Sequence, residues 1–225
     1  MIVTLDSRQR AALDDLGYVV LPDLAGVHAL AALREAFERV AAEQKEAGAR
    51  EGGTRHVRLD GCEAFAFMPE DSQVAEVALH VIARPFGVLN WGGRDPLPGF
   101  GQQGLHADWR PRAVWEPFHV ATALWLLDDF TPDNGATRVV PRSHRRSAVP
   151  KSFAGPGSRH PEEKGIVARA GSVLVFNGHL WHRGTQNRTA RTRRVVQCVY
   201  AGRELLSPGG RTPFAEAGEV GEQPR

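Results

Sequence analysis

Residues 171–182, Gly171-Ser-Val-Leu-Val-Phe-Asn-Gly-His-Leu-Trp-His182, decide the fold class. A turn glycine opens this stretch, an apolar run of strand length follows, and a histidine closes it. A loop over 183–192 then leads into Arg193–Tyr200, whose valines predict another strand. This pattern of short apolar strands joined by polar loops is typical of a sandwich or a barrel.

The strand pattern begins near residue 86 and continues through the second half of the chain. Loops rich in Gly, Pro, Asn or Asp separate the candidate strands, at 96–101, 133–135 and 155–161. The predicted strands are Gly87–Trp91, Gln103–Asp108, His119–Leu127, Thr137–Val140, Gly165–Arg169, Ser172–Asn177 and Arg193–Tyr200.

The first half of the chain carries the helical signals. Ser7–Leu16 predicts a short helix ended by Gly17, and a strand follows at Tyr18–Leu21. Apolar residues at three- and four-residue intervals predict a long helix over Asp23–Ala47, and a third helix is predicted over Ser72–Ala83.

These elements predict an α+β chain that is mainly β, because helices come first and no helical pattern alternates with the later strands. The length of 225 residues suits one large β-rich domain. We expect a single domain over 1–206 and a loosely held C-terminal tail over 207–225, which is rich in Gly, Pro and Glu.

Composition and charge exclude several functional classes. The 28 Lys and Arg residues against 26 Asp and Glu residues leave a net charge of only +2, which does not favour nucleic-acid binding. The pattern contains no signal peptide and no membrane span. Two distant cysteines, Cys62 and Cys198, make neither a disulfide framework nor a thiolate metal site. We therefore expect a cytoplasmic protein.

Two histidines and an aspartate suggest a metal centre. His106 and Asp108 are separated by one residue, so on a strand their side chains point the same way. That motif alone is weak, but His182 follows a second strand and completes a 2-His-1-carboxylate set. Such a set leaves open positions on a non-haem Fe(II) ion, enough for a bidentate 2-oxo acid and dioxygen.

A 2-oxo acid with a second carboxylate also needs a cation, and the planar fork of arginine suits this task. Arg193 and Arg194 both lie at the start of the strand that follows the His182 loop. Successive strand residues face opposite ways, so only one of the two can point inward.

At these residues the chain resembles the phytanoyl-CoA dioxygenase family of Fe(II)/2-oxoglutarate oxygenases. The resemblance runs from the opening helix and 16–22 to Tyr200. Its most specific segments are 103–108, 134–144 and 171–193. It implies a double-stranded β-helix, or jelly-roll, with N-terminal helices packed on one side. It also implies that Fe(II), 2-oxoglutarate and dioxygen are used, and its spacing favours Arg193 over Arg194.

The resemblance implies further roles around the cosubstrate. Trp125 matches a residue that lines the 2-oxoglutarate pocket in relatives, and Thr122 is expected to face the same way. Gln103 is expected to contact the cosubstrate. Halogenating relatives lack the metal carboxylate, so Asp108 implies hydroxylation of a small-molecule substrate, which the sequence does not identify. Further candidates for the substrate mouth flank these motifs: Arg55, His56, Trp109, Arg110, Arg112, Trp115 and Trp181.

Three alternatives remain at this point. A cupin-like metalloenzyme would use the same two histidines and acid, but would leave Arg193 without a task. A catalytically inactive binding module should show a damaged metal set, which is not seen. A nucleic-acid binder using 183–194 should interleave aromatic residues with the arginines, and this loop has none.

Overall fold

The computed structural model describes residues 5–44 and 53–206. Its α-helices are α1 (Ser7–Leu16), α2 (Leu30–Glu43) and α3 (Ser72–Ile82). Short 3-10 helices lie at Glu63–Phe65, Met68–Glu70, Ser143–Arg145, Lys151–Phe153 and Arg203–Leu205.

Helix α1 has the predicted bounds, and local chemistry fixes both of its ends. The Asp6 carboxylate accepts the N–H of Gln9, and the Gln9 side chain accepts the N–H of Asp6, which forms a capping box. Gly17 ends the helix with a φ of 86°, a left-handed conformation that glycine adopts without strain.

Helix α2 is shorter than the predicted span of Asp23–Ala47. Asp23 and Gly26 both have positive φ, so the chain turns there and the helix begins only at Leu30. The predicted end beyond residue 44 lies outside the described residues. The buried face of α2 includes Leu33 and Phe37, as its apolar spacing indicated.

The strands are β1 (Tyr18–Leu21), β2 (Thr54–Val57), β3 (Phe86–Pro96), β4 (Val120–Leu126), β5 (Arg138–Val139), β6 (Lys164–Gly165), β7 (Val173–Asn177), β8 (His182–Arg183) and β9 (Val195–Gly202). They form a six-stranded sheet in the order β1-β7-β4-β9-β3-β2 and a three-stranded sheet in the order β6-β5-β8. Every described strand pair is antiparallel.

The two faces of the large sheet pack against different parts of the molecule. One face packs against the helices in a core that includes Phe37, Val77, Trp125 and Tyr200. The opposite face packs towards the small sheet, where Phe130, Val139 and Phe176 form a second core. Because strand side chains alternate between faces, every second residue of β4 and β9 points between the two sheets. The candidate site lies in that space.

The predicted strand over Gln103–Asp108 is wrong, although the segment is extended enough to approach β8. His106 forms only an isolated bridge with His182. The backbone partners of this segment are scattered, because Leu105 donates to Phe153, His106 to His182 and Asp108 to Gly178. No single neighbour offers a continuous ladder, and the segment therefore remains a loop.

The tail predicted at 207–225 lies outside the described residues, so the division at residue 206 stays a prediction. Within the described ranges, no helix is long and apolar enough to cross a membrane. Cys198 is buried and Cys62 is half-buried, and both are free thiols.

Candidate metal centre and cosubstrate cavity

The loop before Trp109 and strand β8 bring three potential metal ligands together. The His106 N–H donates to the His182 carbonyl at 2.9 Å, and the His182 N–H donates back at 2.8 Å. The Asp108 N–H donates to the Gly178 carbonyl at 2.8 Å. Two segments far apart in sequence are thus locked to each other at the positions that carry the side chains of interest.

The ligand atoms of His106, Asp108 and His182 converge. One such atom from each residue lies within 4.8 Å of the other two, and His182 Nε2 is 3.3 Å from Asp108 Oδ1. This is the only group of three or more His, Cys, Asp or Glu side chains with metal-site spacing in the part of the chain that the structure describes. Two imidazoles and one carboxylate that approach a metal position from one side are the donor set of a non-haem Fe(II) site.

Both histidines are oriented by the backbone. His106 Nδ1 lies 3.0 Å from the Gly104 carbonyl, and His182 Nδ1 lies 2.9 Å from the Leu180 carbonyl. A carbonyl oxygen only accepts, so each Nδ1 carries a hydrogen and the Nε2 lone pair faces the centre. The donor set therefore fits a metal ion before any ion arrives.

Asp108 is fixed by Thr122, whose hydroxyl donates to Asp108 Oδ2 at 2.6 Å. Burial would raise the pKa of Asp108, but His182, His106 and this hydrogen bond outweigh burial and hold the pKa below its ordinary range. The carboxylate is therefore ionised at neutral pH, as a metal ligand must be.

The two histidines differ in their titration. Burial and the neighbouring His182 lower the pKa of His106, so its imidazole is neutral. Burial also opposes the charge of His182, but Asp108 outweighs burial and raises the pKa of His182. A proton and a metal ion would compete for the His182 imidazole, so the raised pKa means that metal binding should weaken as the pH is lowered.

These three side chains open into a cavity of about 230 Å³. Arg193 and Gln103 line the same cavity as His106, Asp108 and His182. The sheet floor adds Leu124, Phe176, Val195 and Gln197, and strands β2 and β3 add Thr54, His56, Arg94 and Pro96.

Arg193 is the buried cation of this cavity, with only 6 % of its surface exposed. Its Nη2 donates to the Gly135 carbonyl at 2.7 Å, and its guanidinium carbon lies 4.7 Å from the Phe130 ring centre. Its Nε is buried without a hydrogen-bond partner. Burial lowers its pKa to about 10, so it stays charged at neutral pH. A buried charge with an unused donor fits a carboxylate ligand.

Arg194 points away from the cavity, as the alternation of strand side chains requires. It donates to both carboxylate oxygens of Asp128 and reaches Glu38 at 3.2 Å. Of the two arginines, Arg193 therefore lines the cavity and Arg194 does not, and the role of Arg193 as the carboxylate anchor stays a prediction.

The predicted position of Trp125 is wrong. Trp125 lies on the opposite face of β4, fully buried against the helices, with its ring edge-on to Phe67 at 5.5 Å. Thr122 and Trp125 are three positions apart on a strand, so they cannot face the same way. Leu124 is the β4 residue that lines the cavity, and Thr122 contacts Asp108 instead.

Gln103 is held at the cavity wall, where its Oε1 accepts the N–H of Gly184 at 2.7 Å. Its contact with a cosubstrate stays a prediction. Gln197, which the sequence reasoning missed, lies four residues after Arg193 and so shares its face of the strand. The alternation of side chains along the strand that begins at Arg193 could have predicted that Gln197 lines the cavity.

Most of the aromatic and basic residues that flank the motifs lie outside the cavity. Trp181 packs in a small separate core, Trp115 is 87 % exposed, and Trp109 packs against Val120 and Val199. The buried Arg112 guanidinium donates to backbone carbonyls of its own loop. Arg55 faces away, paired with Glu38 and Asp95. Among these candidates, only His56 lines the cavity.

Comparison with known sequences gives one family. The profile described as "Phytanoyl-CoA dioxygenase (PhyH)" matches residues 13–195. An uncharacterised protein of Mycobacterium tuberculosis is 27 % identical over 200 residues, which cover 82 % of this chain and 71 % of that protein. The Fe(II)/2-oxoglutarate-dependent dioxygenase nvfF of Aspergillus novofumigatus is 34 % identical over 116 residues, which cover 47 % of this chain and 37 % of that protein.

Comparison with solved structures confirms the predicted double-stranded β-helix. HygX of Streptomyces hygroscopicus, solved with nickel and 2-oxoglutarate, has a TM-score of 0.75 at 20 % identity, covering 91 % of this chain and 90 % of HygX. EctD of S. alaskensis, solved with 2-oxoglutarate and 5-hydroxyectoine, has a TM-score of 0.74 at 22 % identity, covering 89 % of this chain and 77 % of EctD.

Proposed function

Because this chain belongs to the phytanoyl-CoA dioxygenase family, and is accordingly a non-haem Fe(II)- and 2-oxoglutarate-dependent dioxygenase, we propose that it hydroxylates an unactivated C–H bond of a small molecule. Succinate and CO2 would be the products of the cosubstrate. The observation that carries this proposal is one cavity lined by the metal-type ligands and by a buried arginine with an unused donor.

In this proposal His106, Asp108 and His182 hold the iron. Bound Fe(II), together with 2-oxoglutarate and dioxygen, supplies the oxidising power that a protein side chain lacks. The chain contributes preorganised ligands, because the Gly104 and Leu180 carbonyls fix the two imidazoles and Thr122 fixes the carboxylate.

Arg193 anchors the distal carboxylate of 2-oxoglutarate. Its guanidinium is held against Phe130 and the Gly135 carbonyl, which leaves the unused Nε for a carboxylate oxygen. Leu124, Phe176 and Val195 line the same cavity and are buried, so they exclude water from the chain of the cosubstrate.

Asp108 supports hydroxylation over halogenation. With Asp108 as a ligand, a bound Fe(II) ion would have no vacant position there for a halide, so it would supply hydroxylation chemistry and not halogenation chemistry. Thr122 reinforces this outcome because it holds the carboxylate in place.

The first experiment is an anaerobic titration of the full chain with Fe(II) and then with 2-oxoglutarate, followed by the weak visible charge-transfer band of a chelated 2-oxo acid. We expect the band in the wild type and no band in His182→Ala. Arg193→Leu should need far more cosubstrate, and the matched variant Arg194→Leu should behave like the wild type because Arg194 is paired outside the cavity. Iron binding without the band would contradict the roles proposed here.

A second experiment tests the reaction outcome. Candidate small molecules are screened for stimulation of succinate release, and the products of positive reactions are analysed by mass spectrometry under 18O2. Hydroxylation predicts that the product gains one labelled oxygen atom. A product that has lost two hydrogens, or an isomer without added mass, would instead indicate desaturation or epimerisation.

A further inference from the structure

Asn187 lies in the loop between β8 and β9, and it is completely buried. Its Nδ2 donates to the carbonyl of Pro96 at 3.0 Å and to the carbonyl of Arg191 at 2.7 Å. Its Oδ1 accepts the N–H of Thr189 at 3.0 Å and the hydroxyl of Thr189 at 2.7 Å. A carboxamide has two donor hydrogens and two acceptor positions, so this side chain is fully used in joining other segments.

The backbone of Asn187 binds the wall of the cosubstrate cavity. Its N–H donates to the Phe100 carbonyl at 2.8 Å, and its carbonyl accepts the N–H of Gly99 at 2.7 Å. Pro96 and Gly101, which lie on either side of these two residues, line the cavity. Asn187 therefore holds this part of the wall with both its backbone and its side chain.

The carbonyl group that binds the Arg193 guanidinium also rests on Asn187. Asn134 forms an isolated antiparallel bridge with Asn187, and Gly135 follows it. A Cβ placed on Gly135 would lie 3.3 Å from both the nitrogen and the Cβ of Asn187, so this close approach leaves little room for a side chain. The Gly135 carbonyl accepts Arg193 Nη2 at 2.7 Å. Asn187 thus supports a group that orients the guanidinium.

Two other segments that fix Arg193 meet at the same side chain. The Arg193 N–H donates to Asp95 Oδ1 at 3.0 Å, and Asp95 immediately precedes Pro96, whose carbonyl Asn187 binds. Arg191, which provides the second carbonyl, lies two residues before Arg193 in the chain. Three segments that contact or contain Arg193 are therefore joined through one buried carboxamide.

We propose that Asn187 is a positioning residue for 2-oxoglutarate, which holds the Arg193 guanidinium in the orientation that receives the distal carboxylate. The inference rests on the proposed function, because it requires Arg193 to be the carboxylate anchor. Other groups hold the metal ligands, namely the Gly104 and Leu180 carbonyls and the Thr122 hydroxyl. Loss of the Asn187 carboxamide should therefore weaken the binding of the cosubstrate and preserve the binding of the metal.

The test is an anaerobic titration of the full chain with 2-oxoglutarate at saturating Fe(II), followed by the visible charge-transfer band. Asn187→Ala should raise the Kd for 2-oxoglutarate by roughly tenfold, because the carbonyls of Pro96 and Arg191 lose their donor and no longer hold their segments around Arg193. The affinity for Co(II), measured in a separate titration from its visible absorption, should stay that of the wild type.

A double-variant cycle separates positioning from a general loss of stability. If Asn187 acts through Arg193, Asn187→Ala should add little to the Kd of Arg193→Leu, because the anchor is already absent. Asp71→Ala is the stability control: Asp71 caps α3 on the other face of the large sheet, so its loss should lower the free energy of unfolding and leave the Kd unchanged. Thr189→Val removes only one donor to Asn187 and should raise the Kd by a smaller factor.

Three results would overturn the inference: an unchanged Kd in folded Asn187→Ala, an increase as large in the Arg193→Leu background as in the wild type, or an equal increase in Asp71→Ala. If Asn187→Ala does not fold, an unchanged Kd in Thr189→Val has the same meaning. A wild type that binds iron without giving the band would overturn the proposed function itself. A band in the wild type with an unchanged Kd in the variants would remove only the role of Asn187.

Discussion

Replacing Thr122 with valine tests whether a second layer of side chains prepares the metal centre. Valine has nearly the shape of threonine but lacks the hydroxyl, so the substitution removes one hydrogen bond and preserves the packing of β4. Thr122 is fully buried, and its hydroxyl lies 2.6 Å from Asp108 Oδ2, the short distance typical of a charged acceptor.

The size of the effect follows from that geometry. A buried hydrogen bond to a charged group contributes about 1.5–3 kcal/mol. Since about 1.4 kcal/mol corresponds to a tenfold change in an equilibrium constant, Thr122→Val should weaken metal binding by about 10- to 100-fold. The carboxylate would also lose one of the interactions that keep its pKa low, so metal affinity should fall more steeply as the pH is lowered.

The assay is an anaerobic titration with Co(II) or Fe(II) at several pH values, with circular dichroism to confirm that each variant is folded. Thr122→Ser restores the hydroxyl and should recover most of the affinity. Metal binding by Thr122→Val within about twofold of the wild type would refute the reasoning, because that is well below the effect of one such hydrogen bond. Equal weakness of the serine and valine variants would show that packing, not the hydroxyl, is what matters.

Three further predictions test other parts of the structure. Burial, and after it the charge of Arg145, lowers the pKa of His144 from 6.5 to about 4. The unfolded chain therefore binds a proton at His144 more readily than the folded chain, and the free energy of unfolding should fall as the pH drops from about 6.5 towards 4. His144→Gln should flatten this pH dependence when the free energy of unfolding is measured in urea. A Cβ on Gly104 would lie 1.8 Å from the Ala154 carbonyl oxygen, so Gly104→Ala should displace the His106 loop and reduce metal affinity, whereas Gly157→Ala, with open space around it, should not. Trp125→Phe should lower the free energy of unfolding by about 1–3 kcal/mol without changing the Kd for 2-oxoglutarate. Leu124→Ala should change that Kd, because Leu124 lines the cavity. A changed Kd in Trp125→Phe and an unchanged Kd in Leu124→Ala would show that Trp125, and not Leu124, lines the cavity.

The sequence alone determined the class of the fold and grouped the three candidate metal ligands, His106, Asp108 and His182. Helix α1 and strand β1 follow from local signals, a capping residue and a glycine that permits the left-handed turn at residue 17. His106 and Asp108 are close in sequence, and His182 follows an apolar strand, so motif spacing was enough to group them. The family resemblance also favoured Arg193, and the structure places that residue in the same cavity.

The tertiary structure decided which face of each strand looks into the cavity and what stands opposite it. Trp125 was misplaced and Gln197 was missed because the sequence gives the alternation of a strand but not which of its two faces meets the helices. The contact between Thr122 and Asp108 joins a strand to a loop. The pairing of His56 with Arg94 depends on the register between β2 and β3. Such contacts are set by the packing of segments that are distant in the chain, and local propensity carries no information about them.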